Sequence, residues 1–324
     1  MADLLGNDIQ NSAPRASLSL SRVGVTGLKR VLRLKDASGR ETLFFAEMDL
    51  YAFLDARRSG VHMSRFIENI EDIASEIALM PSPDFETLTD RMALSVAKTQ
   101  GAARAEARVT AQYPMTKRTP VSDKAVENLC TFIGISVSDG LSARRVAGVR
   151  VNGFTVCPCA REMISERARA ALEGAGYSEA QAREIISLVP LASHNQRGEG
   201  TLLIGAESRV RVEKLVDIVE DSMSSGIYSL LKRPDEMSVV WEGHMKPRFV
   251  EDAVRGMISG VADRIPELGD DAFVMARQEN FESIHTHNAT AERCGLLGEM
   301  RRELRGEIIG PSRHMSLDSW LYMD

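Results

Sequence analysis

Hairpin strands followed by paired helices and then by more strands predict an α+β protein. Three observations carry that expectation. Residues 21–34 (SRVGVTGLKRVLRL) and 41–48 (ETLFFAEM) alternate apolar and polar side chains on either side of a turn at 37–39, the pattern of a hairpin. Two helix-period segments come next, and the strand-like runs 103–113 and 146–156 follow them, for an order β-β-α-α-β-β. The second half of the chain repeats this order loosely.

Taken in sequence, residues 1–20 are polar and unpatterned and are expected to form a loose N-terminal arm. Ser64 is placed to cap a helix over 65–79, and a second helix over 85–98 follows the Pro-rich turn at 80–83. A turn near Pro120 and a strand at 128–137 separate the two later strands of the first half. Beyond residue 157, helices are expected at 161–173 and 178–188, the latter begun by Ser178 and stopped before Pro190. A strand at 198–205 and an amphipathic helix at 210–223 come next. Residues 229–236 read as a loop, and Pro247 opens a helix over 248–260. Strands at 271–278 and 281–287 and a helix at 293–307 complete the chain. The expected division is an arm at 1–20, a first module at 21–157 and a second at 158–324, the second carrying a helical insertion at about 161–191.

The composition sets bounds on function. With 324 residues, 44% hydrophobic and 27% charged, the chain suits one large or two medium domains with a real core. Its net charge of −6 provides no global basic field for nucleic acid or anionic lipid, although a local Arg and Lys cluster can still hold a small anion. No apolar run is long enough to span a bilayer, and the N-terminus lacks the pattern of a signal peptide. Four cysteines, two of them in C-x-C, make a poor disulfide framework and suit a reduced cytoplasm.

The chemistry centres on GFTVCPCA at 153–160. The alternating, β-branched run before it reads as a strand and the run after it as a helix. Cys157 and Cys159 therefore sit at a strand end and a helix start, where backbone N–H groups and the helix dipole favour thiolate. Metal ligation or nucleophilic attack is one reading; two small buried residues in a turn is the other. His285 and His287 form H-x-H on a strand-like run, which places both imidazoles on one face, for metal binding, proton transfer or a merely polar strand face. His194 lies in the dense polar loop ASHNQRG. Cys157, His194 and a carboxylate would together offer sulfur, nitrogen and oxygen to a transition metal of borderline softness, at spacings too long for a zinc finger. Two carboxylates stand out. Glu236 in KRPDE, beside Lys232 and Arg233, fits an anion site or a solvated surface. Glu251, in the first turn of the helix after Pro247, fits a pocket edge or a charge complementing the helix dipole.

Six motifs, GVHMSR (60–65), CPCA (157–160), SHNQR (193–197), KRPDE (232–236), FVED (249–252) and ESIHTH (282–287), occur in the order in which they occur in a known family. Through them the chain resembles the type IB GTP cyclohydrolases of bacteria and archaea, over most of its length. The resemblance implies the tunnelling fold: two modules per subunit, antiparallel sheets with helices packed on one face, and a homotetramer with active sites at subunit interfaces. It implies that Cys157, His194 and Glu236 hold a divalent metal, with Fe(II), Mn(II) and Zn(II) all suited to the set. It gives Cys157, Cys159, His285 and His287 to catalysis and Glu251 to the guanine, whose adjacent N–H donors one carboxylate accepts together. His62, Ser64 and Arg65 would line the site, and Arg65 and Arg197 would meet the triphosphate.

The implied reaction is attack of activated water on C8 of GTP, ring opening with proton transfer by a Cys or His, and release of C8 as formate. The bacterial kind then forms 7,8-dihydroneopterin triphosphate for folate, which is the expected product. The archaeal kind forms the 2′,3′-cyclic phosphate for methanopterin and shares with this chain a long helical segment between CPC and HNQR. Two rivals remain. A nitrile reductase of the same fold would need NADPH, yet Gly198-Glu-Gly200 lacks the third glycine and the acidic follow-up of a dinucleotide loop. A metal-stabilised binding protein would use Cys157 and His194 structurally. Cys130, Cys294, His244 and His314 have no assigned role.

Overall fold

A computed structural model describes residues 9–35, 41–78, 85–307 and 314–323. The element order gives β-β-α-α-β-β twice. The first pass is β1 (Leu20–Lys35), β2 (Glu41–Leu54), α1 (Met63–Ala78), α2 (Phe85–Gln100), β3 (Ala105–Arg118) and β4 (Ala125–Ser138). The second opens with β5 (Ala143–Val156), is interrupted by α3 (Pro158–Gly174) and α4 (Glu179–Ser187), and resumes with β6 (Asn195–Gly205). Then come α5 (Val212–Ser222), the two-residue β7 (Ser225–Gly226), α6 (Arg233–Met245), α7 (Val250–Arg264), β8 (Phe273–Asn280) and β9 (Ala289–Leu296). Two short helices follow, α8 (Leu297–Leu304) and α9 (Leu317–Leu321). The repeat thus changes between β4 and β5, at the 139–142 turn, so the expected division at residue 157 falls inside the second repeat.

All strands join one antiparallel sheet in the order β1-β2-β3-β4-β5-β6-β8-β9, with β7 pairing off β5. Because side chains alternate across a strand, the register sorts the core onto one face. Ala46, Met48 and Leu50 of β2 lie opposite Ala111, Val109 and Ala107 of β3, and all six are buried. They form one cluster with Phe66, Ile70, Leu88 and Met92 from α1 and α2. Val149, Leu202, Val274 and Ala276 form the corresponding cluster with Leu215, Ile218, Met257 and Val261 from α5 and α7. This is the tunnelling-fold arrangement that the motifs imply: a continuous antiparallel sheet with its long helix pairs on one face. The short α9 is the exception. Its Trp320 and Leu321 cover Ile135, Val146, Leu203 and Phe273 on the opposite face.

Four local expectations change. Residues 229–236 are not a loop running into a short segment, because α6 begins at Arg233 with Pro234 in its first turn. The last strand is 289–296 and not 281–287, because β8 ends at Asn280 and the chain leaves the sheet through a loop at 281–288. The last long element therefore splits into β9 and α8. Ser64 lies inside α1, which starts at Met63, and does not cap it. The expected turns at 37–39 and 80–83 lie outside the described residues. The arm is anchored at 10–12: the Ser59 and Gly60 N–H groups donate to the Ser12 and Gln10 carbonyls.

Candidate active site

The site grows from the stem between β5 and β6. Their ladder ends at Val156 opposite Asn195, and the Cys157 N–H extends it by donating to the His194 carbonyl at 3.0 Å. The Ser193 hydroxyl donates to the Cys157 carbonyl at 2.7 Å. Cys157 is the N-cap of α3, its Sγ accepting from the Ala160 N–H at 3.5 Å, and Pro158 fills the first helical position, where no N–H is needed. The half-buried Cys157 thiol and the exposed Cys159 thus both sit at a helix N-terminus, as the sequence indicates. All four cysteines are free. Burial pushes the Cys130 thiol up to about 11, so it belongs to the core and not to the chemistry.

His194 has one hydrogen-bond partner on its ring and a carboxylate just beyond hydrogen-bond reach. Its Nδ1 lies 3.0 Å from Gln196 Oε1 and 3.6 Å from Glu282 Oε2. Gln196 Nε2 donates to Thr155 Oγ1 at 3.0 Å, and both residues are buried. With its Nε2 committed to Thr155, Gln196 turns Oε1, which only accepts, toward the ring; this places the proton on Nδ1 and leaves the Nε2 lone pair for a ligand. The other imidazoles stand nearby: His285 meets His194 edge-on at 5.9 Å between ring centroids, and His285 and His287 stack at 5.3 Å. The pair is therefore together, but on the loop after β8 and not on a strand face. Gln196 and Glu282 were not singled out as site residues. The signals were present, since Gln196 is two residues from His194 at the start of a strand and Glu282 is the first residue of ESIHTH.

The carboxylates approach from two helices. The Arg248 N–H donates to the Val156 carbonyl at 2.9 Å, which ties the start of α7 to the stem. Glu251, in the first turn of α7, is exposed on the wall of a cavity of about 370 Å³ that Arg255, Arg293 and Met300 also line. Glu236 stands in the first turn of α6, exposed, beside the fully buried Asp235. Asp235 accepts from the Val121, Ser122 and Lys232 N–H groups and from the Ser122 hydroxyl, bonds that hold its carboxyl well below the usual range. The other end of α6 rests on the stem: a Cβ on Gly243 would stand 2.4 Å from Phe154 Cζ. Glu236 lies seven residues up the helix from that contact, roughly 10 Å at about 1.5 Å per residue. Arg197 pairs with Phe154 and lines a second cavity of about 370 Å³ with Lys117, Asn152, Glu220 and Tyr228. Lys117 there is paired with Glu220, and burial pulls its ammonium down to about 8.

His62, Ser64 and Arg65 are not with these groups. Gln100 clamps the His62 backbone, accepting from its N–H at 3.1 Å and donating to its carbonyl at 2.9 Å, and Arg65 donates to the Thr99 carbonyl. This is the end of the sheet where Ala52 faces Ala105, Ala105 faces Ser138 and Ser138 faces Ala143. Cys157 lies just past the opposite end of β5, a strand of 14 residues. At about 3.3 Å per residue the two groups are roughly 40 Å apart along the strands.

The donor chemistry at the stem fits a divalent cation: a thiol at a helix N-terminus, an imidazole with Nε2 presented, and a buried carboxylate oxygen, Glu282 Oε2, with no hydrogen-bond partner. Among the described residues, however, no three His, Cys, Asp or Glu side chains converge closely enough to hold a metal ion. One chain therefore brings the expected donors to one end of the sheet without closing the set. His244 hydrogen-bonds the Val240 carbonyl within α6, and His314 is exposed.

Comparison with known proteins agrees with the motifs. Residues 7–291 match the family described as type I GTP cyclohydrolase folE2. The GTP cyclohydrolase MptA of Methanothermobacter thermautotrophicus is 38% identical over 304 residues, 92% of this chain and 95% of that protein. The protein of the same name from Methanobrevibacter smithii is 37% identical over 305 residues, covering 92% and 98%. That of Methanocaldococcus jannaschii is 35% identical over 304 residues, covering 92% and 97%. Among solved structures, uricase from Arthrobacter globiformis aligns with a TM-score of 0.48 at 10% identity, covering 85% of this chain and 92% of that one.

Proposed function

Given that the chain belongs to the type I GTP cyclohydrolase family, we propose that it hydrolyses the imidazole ring of GTP with release of formate, at a site completed by a second copy of the chain. What carries the reading is the meeting, at one end of the sheet, of the Cys157 thiol, the oriented His194 and the stacked His285 and His287, within a chain whose family match runs from residue 7 to 291.

In this reading Glu251 accepts the two adjacent N–H groups of guanine and turns C8 toward the stem. Cys157 and His194, with Glu236 as the expected carboxylate, would hold a divalent metal, Fe(II), Mn(II) or Zn(II), which would supply an acidified water at neutral pH. His285 and His287, with Cys159, take and return protons as water adds at C8 and the ring opens, and again as a second water releases C8 as formate. Arg197 and Arg65 neutralise the phosphates. The His62 group and Cys157 stand at opposite ends of the sheet, roughly 40 Å apart at about 3.3 Å per residue, so in this reading a second subunit is part of the site and the His62 end of one copy faces the Cys157 end of another. A homotetramer in the cytoplasm satisfies this. Among the described residues no helix is long and apolar enough to cross a membrane.

Two products are consistent with the chemistry. The expected triphosphate is less well supported than the 2′,3′-cyclic phosphate, because the relatives are named MptA and because α3 and α4 separate CPC from HNQR as in the archaeal kind. The test is anaerobic turnover of GTP by metal-stripped protein given Fe(II), Mn(II) or Zn(II), with formate measured and the pterin weighed by mass spectrometry. Metal-dependent formate supports the reading, and the pterin mass decides between the products. No formate with any metal, from folded protein, would overturn it.

A further inference from the structure

Among the described residues the α3–α4 hairpin has no packing partner of comparable extent. It leaves the body at Cys157 and returns at Ser193, where the stem bond to His194 closes its base. α3 has 17 residues and none is buried; α4 has nine, of which only Ala182 is buried. α3 packs against α4 and against no other described element to a comparable extent. Its charge pairs are internal: Arg169 bridges Glu166 and Glu173, and Arg183 meets Glu179. Four apolar side chains stand exposed among these charges, Met163 at 63%, Leu188 at 67%, Val189 at 40% and Ile164 at 38%.

Helices of this length are marginal in water, and a two-helix unit that fully buries one alanine has no core of its own. Its ends are nonetheless well made, with Cys157 and Pro158 starting α3 and a complete Ser178–Gln181 capping box starting α4. Among the described residues no other element finishes this packing. The composite-site reading says which surface is at hand, and the present inference rests on it. The His62 end of a second copy must stand against the Cys157 end, which is the root of the hairpin. At that His62 end Met63 is 49% exposed, and Leu141, in the β4–β5 turn, is 94% exposed.

We propose that the α3–α4 hairpin is an intersubunit arm that seats on the His62-bearing end of a second copy of this chain. Met163, Ile164 and Leu188 pack there against the apolar surface around Met63 and Leu141 of the partner subunit. Since α3 begins at Cys157, seating the arm also fixes the direction of the helix whose N-terminus holds the thiol. Assembly and the geometry of the site are thereby linked through one helix.

The experiment is sedimentation velocity on the full chain and on the combined variant Met163→Glu, Ile164→Glu, Leu188→Glu, none of which belongs to the proposed catalytic set. Three charges buried in an interface core raise the half-assembly concentration by roughly 100-fold or more, with an unchanged far-ultraviolet circular dichroism spectrum. Hydroxyl-radical footprinting of the unaltered protein gives a readout that needs no variant: Met163 is protected in the assembly and oxidises faster once the protein dissociates on dilution. A variant that assembles like the parent, or a Met163 equally reactive in both states, overturns the proposal. Co-assembly of His62→Ala with Cys157→Ala chains separates the two readings. If mixing restores activity while the arm variant assembles normally, the shared site stands and the arm falls. If mixing restores none, the shared site falls and the arm loses its premise.

Discussion

Replacing Gln196 with Leu is the sharpest test of how His194 is oriented. Gln196 is buried between Thr155 Oγ1 and His194 Nδ1, at 3.0 Å from each. Leucine keeps most of the volume and removes both contacts. Each neutral hydrogen bond is worth roughly 1 kcal/mol net, and leaving the fully buried Thr155 hydroxyl without its donor adds about 1 kcal/mol more. The apo protein should therefore lose roughly 2–3 kcal/mol, read as a lower midpoint in guanidinium denaturation. The ring then keeps only Glu282 beside Nδ1, at 3.6 Å and beyond hydrogen-bond reach, so its tautomer and angle are no longer fixed. Loss of such an orienting partner weakens metal binding by roughly 10–100-fold, which calorimetric titration of Mn(II) or Zn(II) into stripped protein would measure. If stability falls while metal affinity stays at the parent value, Gln196 is only a packing residue and the assignment of His194 Nε2 as a ligand atom is wrong.

Three other expectations follow from buried contacts. A methyl group on Gly148 would lie 2.0 Å from the Leu202 carbonyl oxygen and 2.7 Å from Leu203 Cα, so Gly148→Ala should cost about 1–3 kcal/mol or more and reduce the soluble yield. The Asp235 carboxyl is depressed in the fold by its hydrogen bonds, so it stabilises the protein above the ordinary carboxylate pKa and loses that contribution as pH falls; Asp235→Asn should flatten the acid limb of a stability–pH curve. Tyr322 donates to Glu106, and burial with that carboxylate pushes the phenol from 10.0 to about 12. The fold therefore favours the neutral phenol, so stability that is intact below pH 10 is lost as pH rises toward 12; Tyr322→Phe should make the denaturation midpoint less steep over that range.

The parts of the fold legible in the sequence are those where a local rule and the tertiary environment agree. Strand β2 alternates because one face meets helices and the other does not, and Ser178 begins α4 because its hydroxyl and Gln181 make the capping box. The placement of Cys157 and Cys159 was legible for the same reason: a β-branched run ends where Pro158 starts a helix. The misses have physical causes. α6 was hidden because its apolar residues Met237, Val240, Trp241 and Met245 face solvent, so no buried stripe marked it, and Pro234 suggested a loop. Phe281 to His287 reads as a strand, but the Phe281 N–H makes the last ladder contact, to the Arg197 carbonyl, and the chain then turns away from β6 to bring Glu282 and His285 to His194. Asp235 went unnoticed beside Glu236, since its value lies in reaching Val121 and Ser122, more than 100 positions away in sequence. The distance between GVHMSR and Cys157 is a property of the sheet register, and motif order carries no trace of it.

The claim on which the account turns is that one subunit supplies the Cys157 end of the site and another the His62 end. The direct measurement is GTP turnover after His62→Ala and Cys157→Ala chains are dissociated, mixed in equal amounts and reassembled, with each variant alone carried through the same cycle. Random pairing leaves about one quarter of the sites with both intact halves, so the mixture should recover about one quarter of the parent rate. A mixture no more active than either variant alone, from chains that demonstrably co-assemble, would contradict the shared site.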